Sequence, residues 1–234
     1  MKKTQKINLD NRLFLCAQNV RPGKIVADVG TDHAYLPIYL VENKTIPHAI
    51  ATDLREGPLL NAQKNILKYN LETKIETRLS DGLNEVNPEE VDDIVIAGMG
   101  GELIAKIVAR ASWLKDTSKH LVLQPMSAEQ ELREFLAREK FKIVSEKAVV
   151  SYGKVYTVMS VFFDKNLENQ NEIYPYIGAL QKNLTPEAIL YIKRTIRDLK
   201  NKQKGYIAEK NFEKIEQLQR IISALEKIEV PNRI

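Results

Sequence analysis

Carboxylates recur in this sequence where an apolar run gives way to a turn. Asp28, Asp32 and His33 fall in Asp28-Val29-Gly30-Thr31-Asp32-His33, Asp53 closes His48 to Asp53, and Asp81 and Gly82 follow Ser80. A fourth apolar run, Asp93 to Ala97, leads into Gly98-Met99-Gly100-Gly101. Acids at such ends accept hydrogen bonds from sugar hydroxyls and amines and attract cations, and two neighbouring hydroxyls can share one carboxylate. Gly30 would let the backbone approach a ligand closely. A pyrophosphate loop reads G-x-G-x-x-G, yet the residue two past Gly30 is Asp32, whose charge repels phosphate. An isolated D-x-G is also what a turn or helix cap looks like. Four apolar runs ending this way argue instead for one shared ligand, cationic and free of phosphate.

The elements that position these residues follow from periodicity. Leu9 to Val20 has helical apolar spacing and ends at Arg21-Pro22-Gly23. Apolar runs at Lys24 to Gly30, His48 to Asp53, Lys74 to Ser80, Asp93 to Ala97 and His120 to Gln124 read as strands. Helical segments at Tyr35 to Val41, Pro58 to Tyr69, Glu102 to Ala111 and Ala128 to Lys140 alternate with them. Such alternation implies a parallel, doubly wound sheet, because parallel neighbours need a crossover. Ligands sit outside the carboxyl ends of its strands, which collects the acids on one rim. Phe141 to Val150 and Lys154 to Phe163 then form a β-hairpin about Ser151-Tyr152-Gly153. After a polar stretch from Lys165, Thr185-Pro186 opens a helix. Ile189, Ile192, Ile196 and Leu199, and then Phe212, Ile215, Leu218, Ile222 and Leu225, have the spacing of a coiled-coil seam. Two such helices joined near Gly205 predict an antiparallel hairpin, braced by a shorter helix around Tyr176 to Lys182.

Composition bounds the rest. The 234 residues, 26.7 kDa, are 44% hydrophobic and 28% charged, as in ordinary globular proteins. One cysteine, Cys16, excludes an intramolecular disulfide framework and, with His33, His48 and His120, forms no zinc spacing, so no metal is expected. No apolar run reaches the roughly 18 residues of a membrane span, and Met1-Lys2-Lys3 is followed by polar sequence, so a cytoplasmic protein without membrane attachment is expected. The net charge of +4 is too mild to prove nucleic-acid binding by itself. Its distribution is more telling, since 12 Lys/Arg against 9 Asp/Glu lie beyond residue 165.

S-adenosyl-L-methionine fits the acidic rim: an ammonium and a sulfonium for the acids, ribose hydroxyls for Asp53 and an adenine amino group for Asp81. The hairpin-terminated sheet also resembles the seven-stranded, Rossmann-like sheet of class I S-adenosylmethionine-dependent methyltransferases. Three motifs narrow this further: Ala27 to Pro37 (ADVGTDHAYLP), Ile96 to Gly101 (IAGMGG) and Leu123 to Met126 (LQPM). In them the chain resembles the TrmK family, which methylates N1 of adenosine 22 in bacterial tRNA. Methyltransferases in general usually carry a second glycine where Asp32 stands. The resemblance covers the whole chain and implies a methyltransferase domain over residues 1–165 and a helical coiled-coil domain, in contact with tRNA, over 166–234. It also implies a cofactor pocket formed by Asp28, Gly30, Asp32, His33, Asp53, Asp81, Gly82, Gly98 and Gly100. Asp32, His33, Gly98 and Met99 would lie near the methyl group and target base.

The residues agree with a ring-nitrogen target. The Asn/Asp-Pro-Pro-aromatic tetrad that holds an exocyclic amine is missing, whereas the glycines at 98–101 admit a base and expose N–H groups at a helix start. Cys16 lies on an apolar helix face, which disfavours cysteine-dependent pyrimidine methylation. Transfer would be direct displacement governed by positioning and electrostatics, with Asp32 stabilising the migrating positive charge. His33 either orients the base or satisfies the loop backbone. Tyr35 is either a stacking platform for the unstacked adenosine or a packing residue. Phosphate contacts are expected from Lys193, Arg194, Arg197, Lys200, Lys202 and Lys204, which face only Asp198 between Tyr191 and Lys204. Two other readings remain: a methyltransferase for a small molecule or protein, with the coiled coil serving dimerisation, and a non-catalytic RNA-binding scaffold. The oligomeric state is open between monomer and weak dimer.

Overall fold

The computed structural model describes residues 7–229, so Met1-Lys2-Lys3 and the last five residues lie outside it. Seven strands, β1 (Val26–Val29), β2 (Ala49–Asp53), β3 (Ile75–Leu79), β4 (Asp93–Gly100), β5 (His120–Ser127), β6 (Phe141–Ser151) and β7 (Lys154–Phe163), form one sheet in the order β3-β2-β1-β4-β5-β7-β6. β7 runs antiparallel to both of its neighbours, and the other pairings are parallel. Strand order reverses between β1 and β4, the place where an open α/β sheet binds its ligand.

Side chains on successive strand residues point to opposite faces, and the core splits accordingly. Ile94 and Ile96 join Leu121 and Leu123 beneath α4 (Gly101–Arg110) and α5 (Glu129–Arg138). Val95 and Val122 face the other way, into the layer formed by α1 (Asn11–Asn19), α2 (Tyr35–Glu42) and α3 (Glu56–Lys68). Cys16 is fully buried there, as its helix face predicts. At the amino ends of the strands, Asp93 accepts from Arg21 at 2.7 Å and contacts His120 Nδ1 at 3.0 Å, and His120 Nε2 meets Ser160 Oγ at 2.6 Å. These are the residue types of a nucleophilic triad. Their burial beneath Phe162, at the end of the sheet opposite the ligand rim, makes them a structural clamp.

The C-terminal helices are α6 (Tyr174–Ile177), α7 (Pro186–Ala208) and α8 (Phe212–Glu229), with a 3-10 turn at Gly178–Lys182. Thr185 caps α7, its hydroxyl accepting from Ala188 N–H at 3.2 Å ahead of Pro186. Gln203 contacts Gln219, and Lys200 contacts Glu226, so α7 and α8 run antiparallel. The junction differs from expectation: α7 passes through Gly205, and the chain turns at Glu209 to Asn211. An exposed helical glycine costs only about 1 kcal/mol, too little to stop a long helix. The stop comes from Lys210 at φ 55°, with Asn211 N–H returning to the Tyr206 carbonyl. Phe212, expected on the seam, is 76% exposed. The β6–β7 turn is tighter than expected, since only Tyr152 and Gly153 lie between the strands, both at positive φ as a type I′ turn requires. Among the described residues, no helix is long and apolar enough to cross a membrane.

Candidate active site

The site is built on the turn after β1. Gly30 and Thr31 N–H both bond to the Thr52 carbonyl, at 2.8 and 2.9 Å, tying the turn to β2. Asp32 and Ala34 take left-handed backbone, and Asn65 of α3 donates to the His33 carbonyl at 2.9 Å. The chain thereby folds over its own carboxylate: Thr31 Oγ1 donates to Asp28 Oδ2 at 2.6 Å. Asp28 is 6% exposed. Burial pushes its carboxyl up to about 6, against the lowering effect of the Thr31 hydroxyl and with a further push from the charge of Asp53. Gly30 is favoured by its φ of +74°, a conformation side chains with a Cβ rarely adopt, and the end of the flexible Met99 side chain lies over it.

Asp28, Gly30, Asp32, His33, Tyr35 and Gly98 line one cavity of about 270 Å³, with Arg12 and Leu13 on its far wall. His33 Nε2 lies 3.4 Å from Asp32 Oδ2, and its ring stacks on Tyr35 with centroids 5.1 Å apart. Both carboxylate and imidazole are substantially exposed, so they form a rim rather than a floor. Asp53, buried at the tip of β2, accepts from Arg55 N–H at 2.9 Å. Gly100 forms the start of α4 beside Met99. Asp81 stands apart: it pairs with Arg110 at 2.9 Å and lines a second cavity, of about 280 Å³, together with Trp113. Gly82 accepts from the Thr52 hydroxyl at 3.3 Å.

Two contributors have no role assigned from the sequence: Arg12, which lies in no motif, and Gln124, which lies in the Leu123 to Met126 motif. Arg12 Nη1 donates to Gln124 Oε1 at 2.7 Å, and the same oxygen accepts from Gly98 N–H at 3.1 Å. Arg12 is also bound to Asp10 at 2.8 Å and lies over the Tyr156 ring. A fully buried Gln124 thus connects α1 to the glycine loop. The sequence signals were a guanidinium near the start of an amphipathic helix and an amide within the Leu123 to Met126 motif, at the end of an apolar run.

The six basic residues of α7 separate by face. Lys193, Arg197, Lys200 and Lys204, spaced four, three and four apart, share one exposed face. Arg197 lies 3.4 Å from Asp198, and Lys200 pairs with Glu226 at 2.7 Å. Lys202 borders a cavity that also holds Glu129, Glu131 and Asp198. Arg194 is drawn inward, donating to Glu129 at 2.8 Å and the Val155 carbonyl at 3.0 Å and stacking on Tyr191, so it joins α7 to the sheet.

Residues 9–159 match the methyltransferase-domain family. The chain is similar to the tRNA (adenine(22)-N(1))-methyltransferase of Bacillus subtilis, at 37% identity over 154 residues, 66% of this chain and 65% of that enzyme. It thus spans just under two thirds of the curated relatives' length. Among solved structures, Streptococcus pneumoniae Sp1610 superposes with a TM-score of 0.85 at 35% identity, over 95% of this chain and 100% of that one. The same protein in complex with S-adenosyl-L-methionine gives 0.80 at 33% identity, over 92% and 100%. The B. subtilis tRNA methyltransferase TrmK gives 0.83 at 28% identity, over 96% and 100%. The seven-stranded sheet, the acidic turn after β1 and these full-length matches lead to one conclusion: the chain belongs to the methyltransferase-domain family and, within it, to the TrmK family.

Proposed function

We propose that this protein is an S-adenosyl-L-methionine-dependent tRNA methyltransferase that modifies N1 of adenosine 22. Asp28 is the observation that carries this reading. A buried carboxyl whose charged form is disfavoured, facing a cavity at the β1/β4 reversal, is suited to a ligand ammonium. The lining residues fit this cofactor and not a dinucleotide: Arg12 is the only guanidinium or ammonium among them, and Asp10 and Gln124 already hold it. Bound there, S-adenosylmethionine would supply a methyl group on a sulfonium centre.

The chain's own residues do the rest. Asp28 holds the ammonium, Asp53 takes the ribose hydroxyls, and Asp81, released from Arg110, takes the adenine amine. The exposed Asp32–His33–Tyr35 rim receives the unstacked adenosine, with Tyr35 and His33 offering stacked ring faces and Asp32 a charge that favours the methylated, cationic base. N1 of adenine carries a lone pair and no proton, so no general base is required. Gly98 to Gly101 leave room for the ring. Residues 1–165 form the methyltransferase domain, and 166–234 hold the tRNA.

Incubating the protein with unmodified tRNA and a methyl-labelled donor, followed by nucleoside analysis, tests this directly. Label is expected in N1-methyladenosine, and replacing adenosine 22 should abolish it. Donor binding without any tRNA labelling would point to a different methyl acceptor.

A further inference from the structure

A third cavity, of about 460 Å³, opens beside the base pocket, within the range of about 300–1,000 Å³ typical of ligand sites. One wall is the tip of the β6–β7 hairpin, where Lys154, Val155 and Tyr156 lie. The other is the start of α7, where Leu190, Arg194 and Arg197 share a face at spacings of four and three. Met126, at the end of β5, closes the inner end. Met126 and Leu190 are unusually exposed for large apolar residues, at 41% and 50%.

Charge and connection say what this groove accepts. No carboxylate lines it, whereas three basic residues do. On the opposite side of Arg194 a smaller cavity, of about 400 Å³, sets Glu129, Glu131 and Asp198 against Arg133, Arg194 and Lys202, so its lining carries no excess of positive charge for phosphate. The groove also adjoins the base pocket. Arg12 lines that pocket, its Nη1 lies 3.3 Å from Met126 sulfur, and its guanidinium lies over Tyr156 at 5.6 Å. Arg12 is therefore shared between the two spaces, lining one and touching Met126 and Tyr156 of the other. A polyanion whose base has entered the pocket meets positive charge if its next sugar-phosphate link passes over Arg12 into the groove.

We propose that this groove is a second nucleotide subsite, holding the RNA residue adjacent to the methylated adenosine. Its base lies against Met126 and Leu190, and its phosphate lies between Lys154 and Arg197. Stacking on apolar and aromatic side chains tolerates any base, so the subsite fixes the path of the strand rather than its sequence. This rests on the RNA-methylating reading above.

Two measurements test it. First, each lost phosphate contact lowers the slope of log K against log salt by about 0.7 to 0.9. The double variant Lys154→Gln/Arg197→Gln, which releases the one phosphate held between them, should therefore flatten the tRNA-binding slope by roughly 0.7 to 0.9, with S-adenosylhomocysteine affinity by calorimetry unchanged. Second, a tRNA transcript with a photoreactive nucleotide beside the target adenosine should crosslink the unaltered protein at Met126 or within 153–156, a readout independent of any variant's folding. An unchanged slope with crosslinks elsewhere overturns the subsite while leaving tRNA methylation by the native protein intact. A peptide or a free nucleotide as occupant would also leave the RNA slope unchanged and count against it. Failure of the native protein to methylate tRNA at all overturns the parent reading, and the subsite with it.

Discussion

Asp28, the proposed holder of the ligand ammonium, carries a cost to the fold. Its carboxyl titrates near 6 in the folded chain against an ordinary 3.8, so the native state holds this proton more tightly than the unfolded chain does. The stability it contributes is fully present below about 3.8 and is lost as pH rises through about 6. With no ligand cation, the ionised group at pH 8 costs on the order of 3 kcal/mol. Asp28→Asn should accordingly raise the melting temperature at pH 8 and leave it nearly unmoved at pH 4. The same substitution should abolish the pH dependence of S-adenosylhomocysteine binding, which in the native protein weakens by up to tenfold per unit below about pH 6. A binding profile still falling through pH 6 in the variant would assign the titration to another group. The sequence pattern Asp28-Val29-Gly30 made this carboxylate legible, because a local motif fixes its strand and turn. Gln124 stood in the Leu123 to Met126 motif, but its contact with Arg12 was illegible because it joins residues 112 apart, and no local spacing encodes it.

Among the elements, the most consequential join lies between α5, β6 and α7. Arg133, fully buried, donates to Glu146 at 2.6 Å, to Tyr191 Oη at 3.0 Å and to the Pro175 and Tyr176 carbonyls, also at 3.0 Å. Glu146 accepts in addition from Ala179 N–H at 3.0 Å. Removing one partner of a buried ion pair strands a charge, at about 3–5 kcal/mol, whereas apolar replacement of both is often neutral. Glu146→Ala should therefore lower the denaturant midpoint sharply, and Arg133→Met/Glu146→Leu should recover most of that loss. A double variant as unstable as the single one would mean that Arg133's carbonyl contacts, not its charge, hold the join. The alternation of strands and helices was readable because parallel sheets demand it. The extension of β4 to Gly100 was not, since it depends on register shifts against β5 at Met99 and Gly100. Helix arrest at Lys210 was likewise hidden, because a lysine has no sequence preference for the left-handed conformation that ends α7.

Across the whole molecule, the proposed cofactor and RNA functions divide along α7. Its first half is anchored: Tyr191, Ile192, Ile196 and Leu199 are buried, and Arg194 reaches Glu129 on α5. Beyond it the helical hairpin has no buried residue from Lys200 to Gln217, and Ile207 and Phe212 are more than half exposed. Neither this tip nor its charges contribute to the sheet's core, and of its residues Tyr206 packs against the buried cluster between α7 and α8. Replacing residues 204–214 with a short glycine-containing linker keeps the Gln203–Ile215 end of the helix pair together and removes Lys204, Lys210 and Lys214 along with both exposed apolar side chains. Such a protein should bind S-adenosylhomocysteine with native affinity and unfold at nearly the native temperature, while its KM for tRNA rises severalfold and kcat is retained. This split is expected because, on the proposed reading, the tip would act only on encounter and grip, whereas chemistry would depend on the turn after β1 and the Gly98 loop. A KM unchanged by the deletion would confine tRNA recognition to the first half of α7 and the hairpin groove, and a fall in kcat would mean that the tip also orients the target base.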